Sequence, residues 1–313
     1  MRILFCVYSC PDYGTDALFD GLCQHLGNEN VLEYPHKASF HSDTKGRYPL
    51  IFNYPTIKTD EEKLKMVEDG WYDVILVNVR PWSAWIGSKR KYLRNSFQGV
   101  VERNKDTPFI IIDQSDVKDI DYEYIKRLKP KLYFKREYRE SDNHPDFIKP
   151  LSFSYSEQYC PKDISGPRRN SYFWAGQDRR GRRQFIRRLE KERGGKFYNK
   201  YSNDEFRENL LTHKIGLSLL GYGDDTVRYY EVPAYGALLL AEKPTIKIEN
   251  DFTDGETAVF FKTADEMVEK IKYCLEHEDF TDRIRLAGHE WFKKYHTSRK
   301  RAEQAVQQIE RVI

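Results

Sequence analysis

Three absences narrow what this chain can be before any motif is read. No stretch approaches the apolar length of a membrane-spanning helix, and the start, MRILFCVYS, is too short and too soon interrupted for a signal peptide. A cytoplasmic protein without a membrane span is therefore expected. The five cysteines, Cys6, Cys10, Cys23, Cys160 and Cys274, show neither CxxC pairs nor zinc-like spacing. They read as reduced thiols, and Cys6 lies inside an apolar strand pattern, which sets aside a metal or redox role for the Cys6 and Cys10 pair. An excess of charge of one sign is missing too: 52 basic against 49 acidic residues leave +3, so no global field calls for nucleic acid.

Two motif absences act on the chemistry. The loop Cys10-Pro-Asp-Tyr-Gly-Thr15, after the first apolar run, lacks GxGxxG, which disfavours a Rossmann dinucleotide site. Asp224 and Asp225 are adjacent and not spaced as DxD, so no metal is expected.

What is present is an alternation of strands and helices along 313 residues, enough for two cores. In the first half, strand-like runs at 1–9, 31–35, 73–79, 109–113 and 131–136 alternate with helical segments at 16–26, 59–68 and 90–103, as in a doubly wound sheet. The second half restarts with a strand at 172–176 and a helix to Arg193. A strand at 196–201 follows, then a helix capped by Asn203 or Asp204 that runs to His213, and strands at 215–220, 237–241 and 256–261. Thr263-Ala-Asp-Glu266 reads as a capping box for a helix at 265–276, and 298–312 reads as a terminal amphipathic helix. The stretch 156–170, with Pro161, Gly166 and Pro167, is the expected junction. This gives an α/β fold of two Rossmann-like doubly wound domains, 1–155 and 156–297, with 298–313 as a terminal helix.

The stretch 214–244 concentrates the chemistry as strand, loop, short helix and strand. Ligands of parallel sheets lie where strand carboxyl ends meet helix starts, which is where Tyr222, Gly223, Asp224 and Asp225 fall. Arg228 and Glu231, three apart, share a helix face, one suited to a phosphate and the other to vicinal hydroxyls. Pro233 restricts that helix to a short or kinked piece, and Gly236 suits a left-handed cap. Gly176 with Arg179, Arg180, Arg182 and Arg183 places glycine and cations at another helix start, a second phosphate candidate. The same run from Arg168 to Arg193, interleaved with Tyr172, Phe173 and Trp174, also supports a nucleic-acid-binding module.

In the first half, Asp12, Asp16 and Asp113 stand at strand carboxyl ends and are candidate general bases, Asp16 equally a cap or first-turn acid. Tyr13, Gly14 and Trp82 are candidates for a cleft wall, with Trp85 near Trp82. His36 and His41 read as loop histidines that are solvated or hydrogen-bonded.

Arg228-Tyr-Tyr-Glu231-Val-Pro-Ala234-Tyr-Gly236 resembles the R-x-F/Y-E-I/V-P-A-x-G signature of the CgeB-like glycosyltransferases, a GT-B branch using nucleotide-sugar donors. The likeness continues through Asp254-Gly-Glu-Thr-Ala-Val-Phe-Phe261, Ala264-Asp-Glu-Met267 and the region from Ala287-Gly288 to Arg301, and is loose in the first half. It implies a hexosyltransferase whose second half binds the donor and whose first half mostly binds the acceptor, without a metal. It implies that Glu231 holds the donor ribose, that the glycine and arginine loop faces the diphosphate, and that the terminal helix crosses back to the first domain. GT-B relatives often carry a second acid where this chain has Gly223, with Asp224 or Asp225 as substitutes. The acceptor, whether glycan, lipid, protein or modified DNA, and the stereochemistry stay open, as does a non-catalytic nucleotide-sugar-binding protein. Exostosin-like glycosyltransferases share a similar pattern around their donor helix.

Overall fold

The computed structural model describes residues 1–42, 48–79, 97–120, 122–177, 181–197 and 200–313, without the side chains of 123, 124 and 127. The chain forms two compact units, the first made of 1–152 with 298–313 and the second of 153–297.

The first unit is built on six parallel strands: β1 (Ile3–Cys6), β2 (Val31–Tyr34), β3 (Val74–Val79), β4 (Phe109–Asp113), β5 (Leu132–Lys135) and β6 (Ile148–Pro150). Their order is β2-β1-β3-β4-β5-β6, with Ile3 in register with both Val31 and Val74. The chain thus winds outward from β1 to β2 and then crosses to β3 on the other side, which sets a topological switch point between β1 and β3. Strands covered on both faces need apolar side chains both ways, and Val74–Val79 is buried throughout.

Helices α1 (Tyr13–Leu26), α2 (Asp60–Glu68), α3 (Gln98–Arg103) and α4 (Tyr122–Leu128) fill the crossovers. α1 begins earlier than its apolar spacing predicts, because the Asp12 side chain caps it by accepting from the Thr15 amide at 3.4 Å. Asp16 is thereby a first-turn acid. α2 opens on a full capping box between Thr59 and Glu62. Of the basic helix expected at 90–103, residues 90–96 lie outside the described residues.

In the second unit β7 (Arg169–Phe173), β8 (His213–Ser218), β9 (Leu238–Glu242) and β10 (Val259–Phe261) form a parallel sheet in the order β10-β9-β8-β7. Its helices are α5 (Arg183–Arg193), α6 (Asn203–Thr212), α7 (Arg228–Ala234), α8 (Ala264–Glu276) and α9 (Glu278–Tyr295). α6 is capped by Ser202, not by Asn203 or Asp204, because Ser202 and Glu205 form the reciprocal box. The expected strand at 196–201 is corrected: Lys196, Phe197, Lys200 and Tyr201 are not strand. Phe197 and Tyr201 pack their rings on Trp174 and Phe173, at 5.2 and 5.4 Å, so aromatic packing and not a sheet ladder accounts for their pattern. At α8 only half of the expected box forms, since Thr263 accepts from the Glu266 amide while the Glu266 carboxylate takes the Lys262 amide.

The boundary falls at Ser152 and Phe153, ahead of the proline-bearing stretch. Phe153 and Tyr155 already belong to the second core, and the Phe153 amide donates to Asp225 at 2.6 Å. The last helix, α10 (Ser298–Ile309), returns to the first unit and lies on α1. Ser298 Oγ donates to Asp20 at 2.7 Å, and a methyl group on Gly21 would fall 2.0 Å from the Ser298 carbonyl oxygen.

Candidate functional site

α7 is short for the reason its sequence gives. Pro233 offers no amide to extend the ladder, and the helix closes in a Schellman motif, with Gly236 N–H donating to Pro233 O and Ala237 N–H to Val232 O. Gly236 takes φ +69, and an added Cβ would meet Ile164 at 2.8 Å. The cap fixes α7 directly beyond the β8 carboxyl end. There Arg228 and Glu231 meet as an ion pair at a loose 3.7 Å. Arg228 Nε is buried without a hydrogen-bond partner among the described residues, and its guanidinium lies 4.4 Å over the Phe206 ring. Glu231 is 8% exposed. Burial raises its carboxyl above the ordinary glutamate value, opposed by the charges of Arg228 and Arg207. Arg207, on α6, is a neighbour that no motif flagged.

Gly176, just past β7, is the meeting point of two cations. A Cβ built there would lie 3.5 Å from Arg182 and 3.6 Å from Arg228 guanidinium nitrogens, and 3.1 Å from Trp174. Arg182 is anchored by donating from Nε to Leu220 O at 2.6 Å and from Nη2 to Leu219 O at 3.2 Å. It ties the start of α5 to the β8 loop. Glu242 accepts from the Leu220 amide at 3.0 Å on the same loop, and burial raises its carboxyl. The arrangement offers backbone, two guanidinium groups and one carboxylate around a glycine, the donor set for a diphosphate beside a diol.

The substitutes for a second acid are otherwise engaged. Asp224 Oδ2 accepts from the Thr245 amide and hydroxyl at 2.9 and 2.6 Å. Asp225 is buried and holds Phe153 N–H and the Tyr230 hydroxyl, a fold-building role. Gly223 is buried and Tyr222 is 75% exposed on the same loop. Arg179 and Arg180 lie outside the described residues, while Arg183 is an exposed first residue of α5.

The basic run does not make one surface. Arg168 turns inward to the carbonyl oxygens of Leu210, His213 and Tyr235, and Arg182 to the β8 loop. Arg188 bridges Asp265 and Glu192, and Arg193 lies 4.6 Å over Phe197.

In the first unit the candidate bases are sealed. Asp16 is fully buried, with Lys37 Nζ at 2.5 Å and the Tyr48 hydroxyl at 2.6 Å; burial nevertheless pushes its carboxyl up to about 6. Asp113 is equally buried, held by Tyr133 at 2.7 Å, Lys135 at 2.6 Å and the Ser115 amide at 3.0 Å. Both candidate bases are buried ion pairs in this arrangement. Asp12 caps α1 and accepts from Asn78 Nδ2 at 3.2 Å. Tyr13 is half-buried with its ring edge-on to Tyr48 at 5.4 Å, and Gly14 is buried inside α1. Trp82 and Trp85 lie outside the described residues. Of the expected loop histidines, His41 is hydrogen-bonded, to Tyr54 O at 2.7 Å and to Glu33 at 3.1 Å, and its ring stacks on that of His36 at 4.6 Å. A metal there would compete with Lys63, whose ammonium group holds the same Glu33 oxygen at 2.9 Å.

Residues 167–307, from just before β7 through most of α10, match a family described as glycosyl transferase-like. No curated protein matches the chain in sequence. Among solved structures, Anabaena HepE in complex with UDP aligns at TM-score 0.59 and 11% identity, over 99% of this chain and 100% of that one. An alpha-glucosyltransferase in complex with UDP-glucose and DNA containing an abasic site gives 0.62 and 14%, over 99% and 98%. A glycosyltransferase from Rickettsia africae gives 0.64 and 12%, over 99% and 98%. The chain has a GT-B fold. Within that GT-B fold, the family match falls on the half that carries Gly176, Arg228 and Glu231.

Proposed function

We propose that this GT-B protein is a CgeB-like glycosyltransferase of the cytoplasm, moving a hexosyl group from a nucleoside diphosphate sugar to an acceptor hydroxyl without a metal ion. The observation that carries the reading is the pairing on α7: buried Glu231 and half-buried Arg228 stand 3.7 Å apart, with the Arg228 and Arg182 guanidinium groups converging on Gly176. A buried carboxylate lacking strong partners accepts hydrogen bonds from vicinal ribose hydroxyls. Cleavage of the anomeric bond leaves charge on the diphosphate, which fixed cations and amides stabilise most at that moment. Metal independence is supported by the commitment of Asp224 to Thr245 and of Asp225 to Phe153 and Tyr230. The neighbours with UDP and UDP-glucose support uridine as the first base to try.

The test is thermal stabilisation across nucleoside diphosphates and nucleotide sugars, on the parent and on Glu231→Ala, followed by donor turnover with and without EDTA. A selective shift lost in the variant, with EDTA-resistant turnover, is expected. No shift with any nucleotide sinks the reading, and a shift without turnover reduces the protein to a binder.

A further inference from the structure

At the outer edge of the first unit's sheet, two histidines converge on one buried carboxylate. Glu33 lies in β2, the edge strand, and its Oε1 stands 3.1 Å from His41 Nε2 and 3.5 Å from His36 Nδ1. One donor atom from each of Glu33, His36 and His41 lies within 4.8 Å of the others. The place is open to solvent on one side, because the His36 side chain is 38% exposed while those of Glu33 and His41 are buried.

The three groups are held in place from behind. His41 Nδ1–H donates to Tyr54 O at 2.7 Å, which turns Nε2 toward Glu33, and a backbone carbonyl on the far ring nitrogen is the usual outer partner of a metal-binding histidine. The His36 amide donates to both Asp60 oxygens, at 3.0 and 3.1 Å, and the His36 ring stacks on that of His41 at 4.6 Å. Bonds of about 2.0–2.2 Å to a tetrahedral ion put neighbouring donor atoms roughly 3.2–3.6 Å apart, close to the spacings from Glu33 Oε1 to the two rings. The competing cation has somewhere to go: Lys63 Nζ, at 2.9 Å from Glu33 Oε1, also donates to Asp60 Oδ1 at 3.3 Å.

We propose that Glu33, His36 and His41 bind one divalent transition-metal ion, zinc in preference to magnesium or calcium. Two imidazole nitrogens and one carboxylate suit zinc, whereas magnesium and calcium take oxygen ligands. The ion enters by displacing the proton that His41 Nε2 donates to Glu33, which leaves to solvent, and Lys63 keeps Asp60. Its role is a clasp. His41 is bridged to Asn53 in antiparallel fashion, so an ion shared with Glu33 fastens the chain beyond β2 to the sheet edge. The site lies in the first unit, Arg228 and Glu231 in the second, and the inference rests on no part of the transferase reading.

The test is calorimetric titration of the tag-free full chain, stripped with EDTA and dialysed, with Zn²⁺ and with Mg²⁺ and Ca²⁺ as controls. One equivalent of Zn²⁺ is expected to bind and to raise the melting temperature, while Mg²⁺ and Ca²⁺ at the same concentrations do neither. His36→Gln and His41→Gln should each weaken Zn²⁺ at least about tenfold, since losing even an outer partner of a bound metal costs that much. His36 is the fold-safe position: its ring is the exposed one, so the metal-free His36→Gln protein should melt as the parent does. Co²⁺ in place of Zn²⁺ should give visible d–d bands without a thiolate charge-transfer band, because the set holds no cysteine. The proposal is overturned by a parent that takes up no Zn²⁺, by Zn²⁺ held equally by both variants, which is an adventitious ion only, or by a thiolate band, which moves the ion to a cysteine.

Discussion

In the first unit the acids near the sheet's carboxyl edge are matched by close cations, Asp16 with Lys37 at 2.5 Å and Asp113 with Lys135 at 2.6 Å, while buried Thr15, Asn78, Gln114 and Ser115 each carry a polar atom without a hydrogen-bond partner among the described residues. In the second unit the neutral hydroxyls of Ser218 and Thr226 pair with each other at 3.1 Å, and the loosely held groups are charged: Arg228 and Glu231, 3.7 Å apart. Two parallel sheets, the first reversing its winding at β1 and the second running in chain order, thus leave different polar groups unfinished. On the proposed function, the ligand of the second unit brings charge and a diol to Arg228 and Glu231.

The contrast breaks first if the sealed pairs prove dispensable. Lys135→Met strands the Asp113 charge in the interior and should cost about 3–5 kcal/mol, read by urea unfolding; a loss under about 1 kcal/mol would show that Asp113 is not locked. Next comes the second unit. Glu231→Gln should weaken nucleotide binding by about 10- to 100-fold, the span for a hydrogen bond to a charged group. Burial raises the Glu231 carboxyl, so its ionised form weighs on the folded state, an effect absent below the unfolded pKa and growing as pH rises through the folded one. The ligand-free variant should therefore melt no lower than the parent at pH 7.5, and a marked drop would mark Glu231 as structural.

A smaller and pH-dependent effect follows from Asp16, pushed up to about 6 from an ordinary 3.8. Its contribution is fully present below pH 3.8 and is lost as pH climbs through about 6. The stability of the parent relative to Asp16→Asn should shrink between pH 4.5 and 7.5, measured by urea midpoints; a difference flat with pH would contradict the shift. Last, Arg188→Ala on the dispersed basic run should change stability by less than about 1 kcal/mol and leave nucleotide binding alone.

Much of this was legible in the chain. Buried parallel strands announce themselves as apolar runs, and the reading of 214–244 placed Arg228, Glu231 and Gly236 in their observed elements. α9 was not legible because its buried stripe includes Thr281, Gly288 and His289 beside Ile284 and Phe292, a helical spacing without an apolar signature. Gly288 is small for a reason only the fold supplies: a Cβ would come 2.4 Å from Thr257 O. For the sites, sequence names residue types but not their partners. Nothing in the spacing shows that Asp16 finds Lys37, that Asp113 finds Lys135, or that Arg182 turns to the carbonyl oxygens of Leu219 and Leu220.

The return of α10 to the first unit makes the second unit an insertion, entered at Phe153 and left at Thr297. Tyr155 N–H donates to His296 O at 3.2 Å, so entrance and exit run side by side. A segment whose two ends already touch can be lifted out as a gene fragment and expressed alone, or rejoined with new ends elsewhere. The first unit has no such freedom, since a truncation before Ser298 would strip α1 of its cover.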